Sequence, residues 1–201
     1  MMRTLRLTAD DFQPTAGTDY SWYVGQTGLN IEFDGHVLIA PDLGKVRFPR
    51  HIRMTGGLGV EPGTDLLVDW GVEVGASIET AGGLQAGWNI VAGLGIRTGG
   101  HLVAEDGIKA GWGIVAGQGP IDPIDITAGL FIEAEWGIEA RSIQAGTTIT
   151  CGGALDAKWK ITAGRPPLSP DDKPSDIICG HLVKGRIIAG RLIETEPTRN
   201  R

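Results

Sequence analysis

Chemistry in this chain would have to come from four histidines (His36, His51, His101, His181), two cysteines (Cys151, Cys179), a few serines and several acid pairs. The histidines fall into neither an HxH nor an HExxH spacing, the patterns that put imidazoles on one metal. His101 stands alone at the outer corner position of its segment. Cys151 follows an isoleucine by two residues, in the small inward slot where alanine usually sits, so a buried structural thiol is expected rather than a nucleophile. Ser77, Ser142 and Ser169 lack the glycine elbow that presents a catalytic hydroxyl. Glu105-Asp106 and Glu133/Glu135 imitate a glycosidase pair or a calcium site, yet no Gly-Gly-x-Gly-x-Asp nonapeptide accompanies them. Gly93-Leu94-Gly95 does not join a strand to a long helix, so it is no phosphate cradle. The expectation is a non-enzymatic protein with no catalytic residue, metal or cofactor.

What positions these residues is a repeat. Stepping by six from Phe48 to Ile138 meets a large apolar residue in fifteen of sixteen slots, Pro120 being the exception. Two residues later, from Val68 to Ala140, twelve of thirteen slots hold Ala, Val or Thr, and Asp122 breaks the row. The phase slips by one residue and resumes at Ile143, Ile149, Leu155 and Ile161. A period of six is not helical. Two inward positions two residues apart make a short strand, and the following glycine makes a turn. Gly87, Gly93, Gly99, Gly111, Gly117 and Gly129 sit three residues after their anchors, where a corner needing positive φ is expected. One strand and one corner, repeated about twenty times, is an all-β β-solenoid, a parallel β-helix in which each coil buries its Ile and Ala against its neighbours.

Coil length is less direct. The outward residue after each anchor runs Gln85, Val91, Arg97, Val103, Lys109, Val115, alternating polar with valine. That favours a twelve-residue coil. The tryptophans fit in part, with Trp88, Trp112 and Trp136 24 apart and Trp70 18 before Trp88, so an 18-residue triangular coil is the alternative. On a twelve-residue coil Val91, Val103 and Val115 stack into an apolar stripe that Glu79, Glu105 and Asp106 rim, and these six residues are the expected partner-binding surface.

The repeat occupies residues 48–164. Residues 1–47 lack it and read as a β-rich N-terminal cap containing Tyr20, Trp22 and Tyr23 and the alternating Leu29, Ile31 and Phe33. Residues 165–176 read as a proline-rich loop. Over 177–196 a period of five (Ile177, Leu182, Ile187, Leu192) suggests terminal coils or a strand tail. The chain has 201 residues and a net charge of −6, with 32 glycines. Residues 61–140 hold twelve acids against two bases, a net −10. That balance excludes a basic nucleic-acid binder and suits attraction of a basic protein. With no apolar span, no secretory start and only two cysteines, a cytoplasmic protein with no membrane role is expected.

The Ile-x-Ala-Gly units at 84–119, such as Ile108-Lys109-Ala110-Gly111-Trp112-Gly113, resemble the short-coil repeats of bactofilins over roughly residues 66–163. The resemblance implies a polymer-forming β-helix scaffold, whereas the recurrent Trp and the long N-terminal segment depart from that family. Three readings follow. First is a bacterial protein-binding solenoid with the character of an immunity protein that neutralises a basic toxin domain, either alone or as a small homo-oligomer. Second is a self-assembling scaffold of bactofilin type, and third a β-helix enzyme of unknown activity.

Overall fold

The computed structural model describes residues 2–25, 30–117, 125–164 and 175–195. Leu29, the break at Pro120 and Asp122, Ser169, most of the proline-rich loop and the chain beyond Thr195 lie outside them. Apart from one turn of 3-10 helix at Ala9–Asp11, the elements are short strands, nearly all paired in parallel. Each strand has inward, outward, inward residues, so Ile108 and Ala110 are buried and Lys109 is exposed. The protein is a β-solenoid.

Three strands make one coil. Val72–Val74 lies against Ile90–Ala92, and that against Ile108–Ala110, each strand three hexads on from the one it stacks upon. The triangular 18-residue coil is therefore realised, and the twelve-residue coil is not. Face 1 is a nine-stranded sheet running from Ile31–Phe33 to Arg191–Glu194. Face 2 contains Ile78–Thr80, Ile96–Thr98 and Ile114–Ala116, and face 3 contains Leu84–Ala86, Leu102–Ala104 and Asp125–Ala128. The long strand Ile138–Ala145 turns the corner between faces 2 and 3. It pairs with Ile114–Ala116 by its first half and with Asp125–Ala128 by its second. There the corner is one residue short, which is the phase slip in the sequence.

Parallel stacking begins inside the segment expected to be a cap. Ile31–Phe33, Gly35–Ile39 and Gly44–Phe48 pair with the coil above in the same register as later coils. Phe12–Pro14 runs antiparallel to Tyr20–Tyr23 at the outer edge. Phe12, Tyr23 and Phe48 close that end of the core, with ring centroids 4.7 to 5.8 Å apart. The six-step run also hides a change of slot. Phe48, Met54 and Val60 occupy the second inward position of their strands, whereas Leu66 and Val72 occupy the first. An eight-residue step from Leu58 to Leu66 absorbs the difference.

The core narrows along the axis. On face 1 the second inward position reads Phe33, Met54, Val74, Ala92, Ala110, Ala134, Cys151 in register. Apart from the longer steps from Ile108 to Ile132 and from Ile149 to Ile177, the coil shortens in parallel. Ile31 stacks on Ile52, Val72 on Ile90 and Ile177 on Leu192, sequence offsets of 21, 18 and 15. The five-residue rhythm at the C-terminus is thus a smaller coil, with one pentad per face.

Corner glycines are required for a different reason from the one expected. Of the six cited above, Gly117 alone has positive φ. A Cβ on Gly93 would lie 2.2 Å from the Gly75 carbonyl oxygen, and one on Gly111 2.2 Å from that of Gly93. The first corner residue stands directly over the coil below, and close approach excludes a side chain. Two buried threonines are satisfied locally: Thr80 and Thr98 donate to the carbonyls of Gly82 and Gly100 at 2.9 and 2.8 Å.

Two outcomes are expected in chemical denaturation. Ile108→Ala should cost about 2–5 kcal/mol, as a large-to-small change in a closed core, whereas Lys109→Ala should cost less than about 1 kcal/mol through its exposed pair with Glu133. Within one corner, Gly93→Ala should cost about 1–3 kcal/mol by overpacking, while Gly95→Ala, whose Cβ would stand 3.5 Å from its nearest neighbour, should be tolerated. Equal losses within either pair would mean that the coil register is wrong.

Candidate functional site

The expected valine stripe does not form, because an 18-residue coil sends its three members to three faces. Val91 lies on face 1 between Glu73 and Lys109. Val103 is on face 3 between Gln85 and Thr127, and Val115 on face 2 between Arg97 and Glu139. Each is half-buried and isolated among polar neighbours. Glu79 is on face 2, opposite Arg97. Glu105 and Asp106 are in the corner between faces 3 and 1. The six residues thus form no single rimmed surface.

Face 1 brings together a column of alternating charge instead. Glu32, Arg53, Glu73, Val91, Lys109 and Glu133 occupy successive outward positions. Arg53 pairs with Glu73 at 2.8 Å, and Lys109 with Glu133 at 3.0 Å. His51 is 3.2 Å from Glu32, and His36 Nδ1 accepts the Gly57 N–H at 2.9 Å. These histidines serve the stack. Among the described residues, no group of three or more His, Cys, Asp or Glu side chains comes within reach of one metal ion. No described helix is long and apolar enough to cross a membrane.

Both cysteines point inward on face 1, at the narrow end of the core, and are free and buried. Burial pushes the Cys151 thiol up to about 12, with the neighbouring Cys179 adding to the shift. A group so held is protonated at neutral pH and is no nucleophile.

The corners are where the surface is chemically distinctive. Tryptophans project at the two edges of face 1: Trp70 and Trp88 at the edge shared with face 3, Trp112 and Trp136 at the edge shared with face 2. Trp70 and Trp88 stack on each other at 5.1 Å. Backbone bonds hold each pair on adjacent coils, Trp88 N–H to the Trp70 carbonyl and Trp136 N–H to the Trp112 carbonyl, both at 3.0 Å. Trp112 and Trp136 are 58% and 71% exposed. Glu135 adjoins Trp136, and the two border a shallow groove of about 410 Å³ over Gly137, Gly152, Gly153 and Ala154. Glu139 lies on face 2, three positions after Trp136.

Three tryptophans, Trp70 among them, meet the chain's own arginines. Arg47 lies 4.8 Å from the Trp22 ring and 4.9 Å from Tyr20. Its hydrogen bond to Asp69 at 2.6 Å raises its pKa above the ordinary value and fixes the guanidinium over both rings. Arg50 lies over Trp70 at 5.8 Å, and Arg141 over Trp159 at 5.2 Å. In each case the arginine is one coil from its ring. The sequence contained this signal, but only coil length makes it readable. No protein-family model, curated protein or solved structure matches the chain.

Native protein at pH 8 should react with a thiol reagent no faster than its terminal coils open, and rapidly once unfolded. Because the folded thiol titrates above the unfolded value of 9.0, its contribution is intact below pH 9 and is lost as pH rises towards 12. Alkaline denaturation curves should therefore be shallower for Cys151→Ala. Rapid labelling of native protein at pH 8 would contradict the burial.

Proposed function

We propose that this chain is a non-enzymatic protein-binding solenoid whose partner carries a basic surface, in the manner of an immunity protein that neutralises a basic toxin domain. The observation that carries the reading is the Trp112–Trp136 edge. Two large aromatics are mostly exposed on consecutive coils near carboxylates that have no ion pair among the described residues, and binding hot spots are enriched in tryptophan. Support also comes from the acidic central coils and from a backbone that needs no reorganisation to present the edge. Expected behaviour is a stable complex with the product of a flanking gene on co-expression, seen by size-exclusion chromatography with light scattering. No complex with any flanking-gene product would count against the reading.

One observation favours a second reading, self-assembly of the bactofilin kind. The strands His181–Ala189 and Arg191–Glu194 are paired on one side only. Leu182, Ile187 and Leu192 are only partly buried there, and Val183 and Ile188 are exposed. Among the described residues this final edge is unpaired, and an unpaired edge is a template for another chain. Negative-stain microscopy at micromolar concentration separates the two. The binding reading expects discrete particles, and the scaffold reading expects filaments.

A further inference from the structure

Three of the chain's tryptophans meet an arginine one coil away, Trp22 at Arg47, Trp70 at Arg50 and Trp159 at Arg141. Trp88 stacks on Trp70 instead. Trp112 and Trp136 are the exception. The coil neighbour of Trp112 on one side is Leu94, and that of Trp136 on the other is Gly153. Neither offers a cation or a ring, and no described arginine or aromatic lies against these two indoles.

The surrounding charge has the sign that such a cation needs. Glu133 is already paired with Lys109. Glu135 and Glu139 have no ion pair among the described residues. The edge therefore reproduces the acceptor half of an arrangement that the chain completes elsewhere. At Trp22, ring, guanidinium and the Asp69 carboxylate come together; at Trp136, ring and carboxylate are present without the guanidinium.

We infer that the Trp112–Trp136 edge recognises arginine side chains of a partner protein, the guanidinium stacking on Trp136 while its N–H donors reach Glu135 and Glu139. The inference rests on the protein-binding reading and specifies its contact chemistry. Arginine is selected over lysine because its planar, weakly hydrated fork can lie flat on an indole and still donate in its own plane to carboxylates. The ammonium of lysine is a strongly hydrated point charge and does not combine the two as well.

The test is fluorescence anisotropy with labelled nona-arginine and nona-lysine peptides, titrated with full-length protein at fixed ionic strength. Nona-arginine should bind about tenfold tighter than nona-lysine. Trp112→Ala/Trp136→Ala should lose about tenfold for nona-arginine while melting like wild type. Glu135→Gln/Glu139→Gln should weaken both peptides and reduce the salt dependence. Equal affinity for the two peptides, or undiminished nona-arginine binding by the double tryptophan variant, overturns the inference. The chain's own Arg199 and Arg201 are the competing occupants. If Arg199→Ala/Arg201→Ala binds nona-arginine markedly tighter than wild type, the edge serves an intramolecular contact and the partner assignment falls. A flanking-gene complex that survives the double tryptophan variant would overturn the inference alone, whereas absence of any complex with wild type counts against protein binding itself.

Discussion

Everything in this molecule is subordinate to the spacing of its coils. Parallel strands must lie about 4.8 Å apart to hydrogen-bond, and a three-sided coil turns a corner at every hexad without leaving that spacing. At the first corner residue the backbone passes so close over the carbonyl below that a methyl group would overlap it, as at Gly93 over Gly75 and Gly111 over Gly93. The glycines thus serve contact more than turn geometry. The same spacing stacks isoleucine on isoleucine through the axis, and in the middle coils the second inward position has only the width of an alanine, as at Ala92 and Ala110. Such a core has no space for a deep cleft, so distinctive chemistry is displaced to the outer corners.

Core volume and coil length fall together over the first coils, although the later steps from Ile108 to Ile132 and from Ile149 to Ile177 are longer. Large residues at the N-terminal end (Phe33, Phe48, Met54) need the longer coils that run from Ile31 to Ile52 and from Ile52 to Val72, while alanines are enclosed by the shorter step from Ile90 to Ile108. Past Ala140 a shortened corner lets a strand run continuously from face 2 to face 3, and the last coil, from Ile177 to Leu192, is shorter still. Gly185 and Gly190 adopt positive φ there, at 136° and 106°, and a Cβ at either would overlap the terminal methyl of Ile161 or Ile177. The ends consequently differ in kind. Aromatic rings plug the wide end, and the narrow end finishes on partly buried aliphatics.

Much of the fold is legible in the sequence because the hexad repeats without ornament. Ile-x-Ala spacing assigns every inward residue from Leu66 to Ala116, and the slip before Ile143 marks a real change of corner. Coil length is not legible from outward valines, because outward residues on different faces obey no packing rule and their alternation carries no register. The early coils are hidden for a physical reason. Wide coils need longer corners, such as the eight-residue step from Leu58 to Leu66, and the period is lost while the strands remain. The candidate site is hidden by the same cause. Arg50 and Trp70, or Arg141 and Trp159, are unrelated in sequence until the coil offset brings them face to face.

A solenoid surface is unusually simple to address. Residues one coil apart are neighbours at about 4.8 Å, so a corner column is in effect a linear array read at that interval. Most columns here are internally balanced, with acid against base on face 1 and arginine against tryptophan at Trp22, Trp70 and Trp159. Balance of this kind satisfies the surface and leaves little for another molecule to gain. The Trp112–Trp136 column is unbalanced, with two rings and nearby carboxylates but no cation among the described residues. The backbone beneath is tied down by interstrand bonds on both sides, so the two rings are held on consecutive coils without reorganisation. The proposed recognition of a guanidinium, with its flat cationic face and donors at its rim, is the arrangement that would complete this column.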